Sequence, residues 1–154
     1  MGTPDFAVPS LKALFENNYE IIGVVTKTDS TRRGSRGLKE VPPPVKEYAV
    51  AHNIPVFQPE KLSKDTELIS KIAQMAPDLI VTCAYGQILP KSLLDIPKYG
   101  TINVHGSLLP KYRGAAPIHW AIINGETKTG ITTMFTEVGL DTGDMLLKAE
   151  IDIP

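Results

Sequence analysis

The sequence of 154 residues is poor in the features that mark several common classes of protein. Cys83 is the single cysteine, which excludes an intramolecular disulfide and is typical of a reducing compartment. No apolar run reaches the ~18 residues that a membrane span requires. The N-terminus also lacks the charged region followed by an apolar stretch that marks a secretory signal. The formal net charge of −1 gives no overall attraction to nucleic acid or to a membrane. These absences predict, by default, a cytoplasmic globular protein.

Signatures of several enzyme classes are missing as well. The histidines, His52, His105 and His119, lie far apart in the sequence, and the cysteine has no neighbouring ligand, so no metal site is predicted. No Gly-x-Gly-x-x-Gly motif is present, which argues against a dinucleotide cofactor. No Gly-x-Ser-x-Gly motif is present either, which argues against a serine hydrolase.

The remaining pattern is that of an α/β domain. Short apolar runs at 20–26 and 78–84 predict strands buried on both faces, and apolar residues at helical spacing alternate with them at 6–15, 45–52, 63–75 and 116–124. Ser63 is the predicted cap of the third helix. Residues 130–136 predict an edge or antiparallel strand, and residues 145–153 predict a last strand. We therefore expect a Rossmann-like α/β fold, a mainly parallel sheet flanked by helices, whose ligands bind at the carboxyl ends of strands.

A polar pair at the end of one predicted strand is the first candidate for catalysis. Residues 101–104 predict a strand on which Asn103 and His105, two apart, point to the same side. Gly106 and Pro110 then end the strand in a loop. Both side chains can donate hydrogen bonds to an oxygen that becomes negative during a reaction. The alternative, which the spacing leaves open, is a polar pair without a chemical role.

A glycine-flanked loop supplies a candidate carboxylate. Asp141 lies between two glycines in Val138-Gly-Leu-Asp-Thr-Gly-Asp-Met145 and is a candidate partner that would fix the orientation of His105. It can equally be a turn aspartate that binds its own backbone. Asp144 competes for the same role, and the spacing does not choose between the two residues.

Residues 27–44 predict a long irregular segment rich in cations. Arg32, Arg33, Arg36 and Lys39 lie within it, and glycines separate some of them. Several cations on one segment are typical of phosphate contact, as on nucleic acid. The alternative is a solvated flexible loop.

Several longer motifs resemble the methionyl-tRNA formyltransferase family. They are Asn103-Val-His-Gly-Ser-Leu-Leu-Pro110, Arg113-Gly-Ala-Ala-Pro-Ile118 and Gly139-Leu-Asp-Thr-Gly-Asp-Met145, together with Gly2-Thr-Pro-Asp-Phe6, Pro44-Val-Lys46 and Ala84-Tyr-Gly-Gln-Ile-Leu-Pro90. They occur in the family's order and cover nearly the whole chain, so the resemblance is specific.

The resemblance implies a reaction and a set of site residues. The family transfers a formyl group from 10-formyltetrahydrofolate to the α-amine of methionine on initiator Met-tRNA. Its catalytic residues correspond to Asn103, His105 and Asp141, so the resemblance selects Asp141 over Asp144. Its folate-binding residues correspond to Ser107, Leu108, Leu109 and Pro110, and its tRNA-binding loop to the segment of Arg32, Arg33, Arg36 and Lys39. No metal is implied.

The sequence also departs from the family pattern. The family has a strand before the Gly-Thr-Pro turn and a β-barrel domain after the catalytic domain, so we expect residues 1–154 to be a partial catalytic domain, truncated at both ends, with the first strand missing. The resemblance implies a monomer, as in the full-length family. Two alternatives stay open: a related formyltransferase acting on an amino-sugar nucleotide or a purine precursor, and a fragment that only binds folate or RNA.

Overall fold

The computed structural model describes residues 1–138 and 141–154. Its helices are α1 (Val8–Glu16), α2 (Pro44–Ala51), α3 (Thr66–Met75), α4 (Lys91–Leu94) and α5 (Pro117–Ile123), with 3₁₀ turns at Asp5–Ala7 and Leu62–Lys64. Its strands are β1 (Val24–Val25), β2 (Ser30–Gly34), β3 (Gly37–Val41), β4 (Val56–Phe57), β5 (Ile80–Thr82), β6 (Thr101–His105), β7 (Lys128–Phe135) and β8 (Met145–Asp152).

Apart from a hairpin, the strands form two sheets, the pair β1–β4 and the four-stranded β5–β6–β7–β8. β1 pairs with β4 and β5 pairs with β6, both in parallel. β7 then pairs antiparallel with β6 on one side and with β8 on the other. β2 and β3 form a separate antiparallel hairpin. The expected α/β class is confirmed, and the candidate strand β6 lies inside the sheet between β5 and β7.

The backbone of Met1 and Gly2 joins these two sheets. The N–H of Gly2 donates to the carbonyl of Val25 at 3.0 Å, and the N–H of Cys83 donates to the carbonyl of Met1 at 2.9 Å. Gly2 also forms a parallel bridge with Cys83. Beside Met1, a groove of about 440 Å³ separates β1 from β5, and Val24 and Ile80 contribute to its lining.

Two apolar clusters cover the two faces of the sheet. Neighbouring residues of β1 point in opposite directions, as a strand requires, so Val24 belongs to one cluster and Val25 to the other. The first cluster joins β1 to α1 and α2, and the second joins it to α3 and α4. Their buried members are Ala7, Leu11, Val24, Val45, Ala49, Ile54 and Cys83 in the first, and Val25, Leu62, Leu68, Ile72, Ile80, Tyr85 and Leu93 in the second.

Two local predictions were wrong, and a third is decided between its two alternatives. Residues 27–44 contain the hairpin of β2 and β3, with a two-residue turn, and are not irregular. Residues 130–136, predicted as an edge or antiparallel strand, lie in β7, which is antiparallel and has a partner on each side. Helix α3 is capped by Asp65, whose Oδ1 accepts from the N–H of Leu68 at 2.9 Å, whereas Ser63 lies in the preceding 3₁₀ turn.

Candidate active site

Asn103 and His105 project from the carboxyl-terminal half of β6 on one face of the sheet. Asn103 is paired with Thr82 of β5 and with Met134 of β7, while His105 is paired with Thr132. Asn103 is half-buried, whereas His105 is only 6% exposed. The expected shared orientation therefore follows from a strand held by neighbours on both sides.

A hydrogen bond sets the orientation of the Asn103 amide. The hydroxyl of Thr82 donates to Oδ1 of Asn103 at 3.0 Å. With Oδ1 on Thr82, Nδ2 is directed away from it. This nitrogen is then the end of the amide that can donate to a bound oxygen.

The two ring nitrogens of His105 have different partners. Nε2 lies 2.7 Å from the backbone carbonyl oxygen of Tyr112, at hydrogen-bonding distance. Nδ1 lies 3.7 Å from Oδ1 of Asp141, close enough for an ion pair when the imidazole is protonated. The side chains of His105 and Asp141 are 7% and 10% exposed. The imidazole and the carboxylate therefore meet in a largely water-excluded environment.

Asp141 is held by the loop that follows β6. The backbone N–H of Gly114 donates to Oδ2 of Asp141 at 2.7 Å, which leaves Oδ1 directed towards His105. Asp141 has a left-handed backbone, with φ of 51°. Asp144, the competing carboxylate, is exposed. Gly139 and Leu140, which belong to the same motif, lie outside the described residues.

The loop at 106–114 is fastened to the sheet by buried hydrogen bonds. Ser107 is fully buried, and its hydroxyl donates to the carbonyl of Lys111 at 2.7 Å. The hydroxyl of Thr132 donates to the carbonyl of Ser107 at 2.7 Å and accepts from the N–H of Leu109 at 3.2 Å. Of the four predicted folate-binding residues, Ser107 and Leu109 are thus buried in the loop, whereas Leu108 is half-buried and Pro110 is exposed.

The predicted RNA-binding residues lie on the β2–β3 hairpin, and all four are exposed. Arg32 is directly opposite Lys39, so these two cations share one face of the hairpin. Arg33 is opposite Leu38 on the other face, and Arg36 lies in the turn.

An aspartate anchors the base of this hairpin. Asp29 accepts from Nε2 of Gln58 at 2.7 Å and from Nζ of Lys46 at 3.0 Å. The hydrogen bonds from Gln58 and Lys46 lower the pKa of Asp29 below its usual value. The hairpin is therefore tied to α2 at its base while its cationic strands stay exposed.

The described ranges, 1–138 and 141–154, offer neither a metal-binding cluster nor a membrane-spanning helix. They contain no group of three or more His, Cys, Asp or Glu residues arranged to hold a metal ion. None of the helices in these ranges combines the length and the apolar character needed to cross a bilayer.

A family model described as Formyl transferase matches residues 1–154. The chain belongs to the formyl transferase family. Among curated relatives, the methionyl-tRNA formyltransferases of Acetivibrio thermocellus and Clostridioides difficile are 62% and 60% identical to it over 153 residues. The match covers 99% of this chain and 48% of each relative, so the chain spans about half the length of these proteins.

Solved structures of formyltransferases share the fold. A phosphoribosylglycinamide formyltransferase from Bacillus halodurans gives a TM-score of 0.75 at 20% identity, covering 99% of this chain and 78% of its own. The sugar 3N-formyl transferase WlaRD, solved in the presence of dTDP and 5-N-formyl-THF, gives a TM-score of 0.63 at 21% identity, covering 99% of this chain and 50% of its own. At these identities the likeness shows the fold alone, and the fold is that of the formyl transferase family.

Sequence reasoning missed the residues that orient the site. Thr82 and Thr132 are neighbours of Asn103 and His105 across the sheet, and only the strand register could have found them. Tyr112 acts through its backbone carbonyl, with a left-handed φ of 57° that its side chain does not predict. No local pattern in the sequence signals such a contact.

Proposed function

We propose that this chain is the formyl-transferring domain of a methionyl-tRNA formyltransferase. It would transfer a formyl group from 10-formyltetrahydrofolate to the α-amino group of methionine on initiator Met-tRNA. The observation that carries the proposal is that His105 lies 3.7 Å from Asp141 and shares one face of β6 with Asn103. Curated relatives about 60% identical to the chain carry this name, which supports the choice of substrate.

The available atoms of the site suit acyl transfer. In this reaction the amine nitrogen bonds to the formyl carbon, and an electron pair moves to the formyl oxygen, which becomes an oxyanion. Nδ2 of Asn103 and Nδ1–H of protonated His105 are the nitrogen donors that would stabilise this oxygen. The bond from the formyl carbon to the folate nitrogen then breaks, and the oxygen returns to a carbonyl.

Asp141 would manage the proton that the amine loses. Its Oδ1 lies 3.7 Å from Nδ1 of His105, close enough to form an ion pair with the imidazolium. A proton leaves the attacking amine, and one must reach the departing folate nitrogen. Asp141 and His105 together would carry this transfer, directly or through one water.

The loop after β6 provides the surface for the folate donor. Leu108 and Pro110 are the accessible members of the predicted folate-binding set, and they lie in the same loop as the groups that hold His105 and Asp141. The buried Ser107 and Leu109 would support that surface from beneath. Contact of the donor with 107–110 would therefore bring its formyl group close to the three polar side chains.

The exposed hairpin is the surface that we assign to the tRNA. Its four cations, Arg32, Arg33, Arg36 and Lys39, are available to phosphates because the strands that carry them are exposed along their length. The proposal also includes a cytoplasmic location, where translation initiates. A monomeric state stays a prediction.

Single-turnover formylation tests the proposal directly. The chain is mixed with 10-formyltetrahydrofolate and Met-tRNA, and formyl-methionine is measured after deacylation of the tRNA. We expect product that falls by about 10²–10³-fold in Asn103→Ala, the usual effect of losing an oxyanion donor, and by about 10²–10⁴-fold in His105→Ala and Asp141→Asn, the range of general acid–base catalysis. Asp144→Asn is the matched control, because this exposed aspartate lies three positions from Asp141, and it should leave the rate unchanged.

The other interpretations give different results in the same assay. Product on an amino-sugar nucleotide or on a purine precursor, and not on Met-tRNA, would assign the chain to a related formyltransferase. Product no higher than that of His105→Ala on every acceptor, with retained binding of folate or tRNA, would assign it to binding alone. Either outcome contradicts the proposed function.

A further inference from the structure

The contact between His105 and Tyr112 determines which ring nitrogen carries a permanent proton. The carbonyl oxygen of Tyr112 can only accept a hydrogen bond, and it lies 2.7 Å from Nε2. A lone pair on Nε2 at this distance would face the lone pairs of the oxygen. Nε2 must therefore be protonated whether the ring is neutral or charged, and Nδ1 is the nitrogen that gains and loses a proton.

A second set of contacts fixes the carbonyl itself. The phenol of Tyr112 donates to Oε1 of Glu126 at 2.9 Å, and Nδ2 of Asn124 donates to the phenol oxygen at 3.0 Å. Nζ of Lys111 lies 3.2 Å from the same oxygen of Glu126. The hydrogen bond from Tyr112, followed by the contacts with Lys111, lowers the pKa of Glu126, so this residue is an anionic acceptor at neutral pH.

These contacts connect the surface to the imidazole through a single residue. Tyr112 has a left-handed backbone, which is energetically unfavourable for a residue other than glycine. Anchoring its side chain at Glu126 and Asn124 offsets part of that cost and keeps the carbonyl aimed at Nε2. We call the side chains of Tyr112, Glu126 and Asn124 the tyrosine latch.

We propose that Tyr112 and Glu126 are positioning residues that hold His105 as the Nε2–H tautomer and so reserve Nδ1 for Asp141 and the reacting groups. The tautomer follows from the geometry alone. Only its consequence for the rate rests on the proposed function. If the latch is loosened, the carbonyl no longer selects one tautomer, and part of the population has its proton-accepting nitrogen on the wrong side of the ring.

The tautomer can be read from a long-range ¹H–¹⁵N correlation spectrum of the chain at a pH where its histidines are neutral. His105 should show a protonated Nε2 and an unprotonated Nδ1. His52 provides an internal opposite, because its Nδ1 lies 2.8 Å from the carbonyl of Tyr48 and should carry the proton. The exposed His119 serves as the reference for an unrestrained ring. A protonated Nδ1 and bare Nε2 on neutral His105 would overturn the inference.

Variants test the latch. Tyr112→Phe keeps the ring and removes the donor, and Glu126→Ala removes the acceptor; both should give mixed tautomers for His105. Both should lower kcat about tenfold, a typical effect of a small misplacement in an active site, while KM for the folate donor stays the same. Glu126→Gln retains an oxygen that can accept from Tyr112 and should recover most of the rate. Lys128→Gln, which breaks the neighbouring surface pair with Glu150, is the matched control and should change neither readout.

The outcomes separate the inference from the proposed function. A wild-type spectrum with Nε2–H on His105, in a chain that formylates nothing, contradicts the function and leaves the inference intact. Formylation together with Nδ1–H on neutral His105 contradicts the inference alone. If the His105 tautomer and kcat are both unchanged in Tyr112→Phe and in Glu126→Ala, the proposed positioning role of Tyr112 and Glu126 is wrong. If a variant fails to fold, the wild-type spectrum still decides the tautomer.

Discussion

Thr82 offers a sharp test of the proposed site, because its hydroxyl contacts the amide of Asn103 and is assigned no part in the chemistry. Thr82 is only 5% exposed, and its hydroxyl donates to Oδ1 of Asn103 at 3.0 Å. Thr82→Val removes this donor and keeps the shape of the side chain. The amide of Asn103 then loses the hydrogen bond that holds its oxygen on Thr82. Both orientations become accessible, and only one of them directs Nδ2 towards the oxyanion.

The expected size of the effect follows from the strength of that hydrogen bond. A neutral intramolecular hydrogen bond contributes about 1 kcal/mol net, so its loss removes at most that much preorganisation, or roughly fivefold in kcat. Asn103→Ala removes the donor itself and should lower kcat by about 10²–10³-fold. The free energy of unfolding should fall by only about 0–1 kcal/mol in Thr82→Val, because a buried methyl replaces a buried hydroxyl.

The assay is formylation kinetics on wild type, Thr82→Val, Thr82→Ser and Asn103→Ala, with thermal unfolding measured in parallel. Thr82→Ser retains the hydroxyl and should keep nearly the full rate, even if it loses some stability through the missing methyl. A wild-type rate in Thr82→Val would show that the hydroxyl does not orient the amide. A rate as low as that of Asn103→Ala, in a stably folded Thr82→Val protein, would show that Thr82 takes part in the chemistry directly.

Three further predictions concern the loop, the core and the hairpin. Gly114→Ala should lower kcat by at least about tenfold, since Gly114 has φ of 90° and its N–H holds Asp141. Tyr85→Phe should leave the free energy of unfolding unchanged or raise it by up to about 1 kcal/mol, because the buried hydroxyl has no hydrogen-bond partner within residues 1–138 and 141–154. Burial raises the pKa of Tyr85 from 10.0 to about 12. Because the phenol ionises first in the unfolded state, the free energy of unfolding of wild type should fall as the pH rises from 10 to 12. Urea titrations at each pH should show this fall in wild type and not in Tyr85→Phe. The double variant Arg32→Ala, Lys39→Ala should reduce the slope of log Kd for tRNA against log salt by about 1.4, or roughly 0.7 for each lost phosphate contact. Filter binding at several salt concentrations measures this slope. Replacing Lys12, a cation on α1, with alanine should leave the slope unchanged.

Local patterns were sufficient to find the strand that carries Asn103 and His105. A period of two places both residues on one side, and Gly106 ends the strand directly after them. The same kind of pattern failed for the choice between Asp141 and Asp144. That choice depends on Gly114, a residue far away in the sequence whose N–H fixes one carboxylate and not the other.

Strand lengths and the hairpin were also outside the reach of local patterns. The apolar run at 20–26 forms only the two residues of β1, because a strand extends only as far as its partner, and β4 is equally short. The hairpin was missed because its strands are exposed on both faces, so they show no alternation of apolar and polar residues. Its signal was the pair Gly34 and Gly37 around a two-residue turn.

The charge arrangement of the site comes from the backbone of one loop. The carbonyl of Tyr112 presents its negative end to His105, and the N–H of Gly114 presents its positive end to Asp141. These two dipoles, two residues apart, are complementary to an imidazolium and to a carboxylate respectively, which is the pair of charges that the proposed reaction requires. Both residues have positive φ, so the loop conformation, and not the identity of any one side chain, directs them in opposite senses. A change that relaxes this loop should therefore impair His105 and Asp141 together, even where neither side chain is altered.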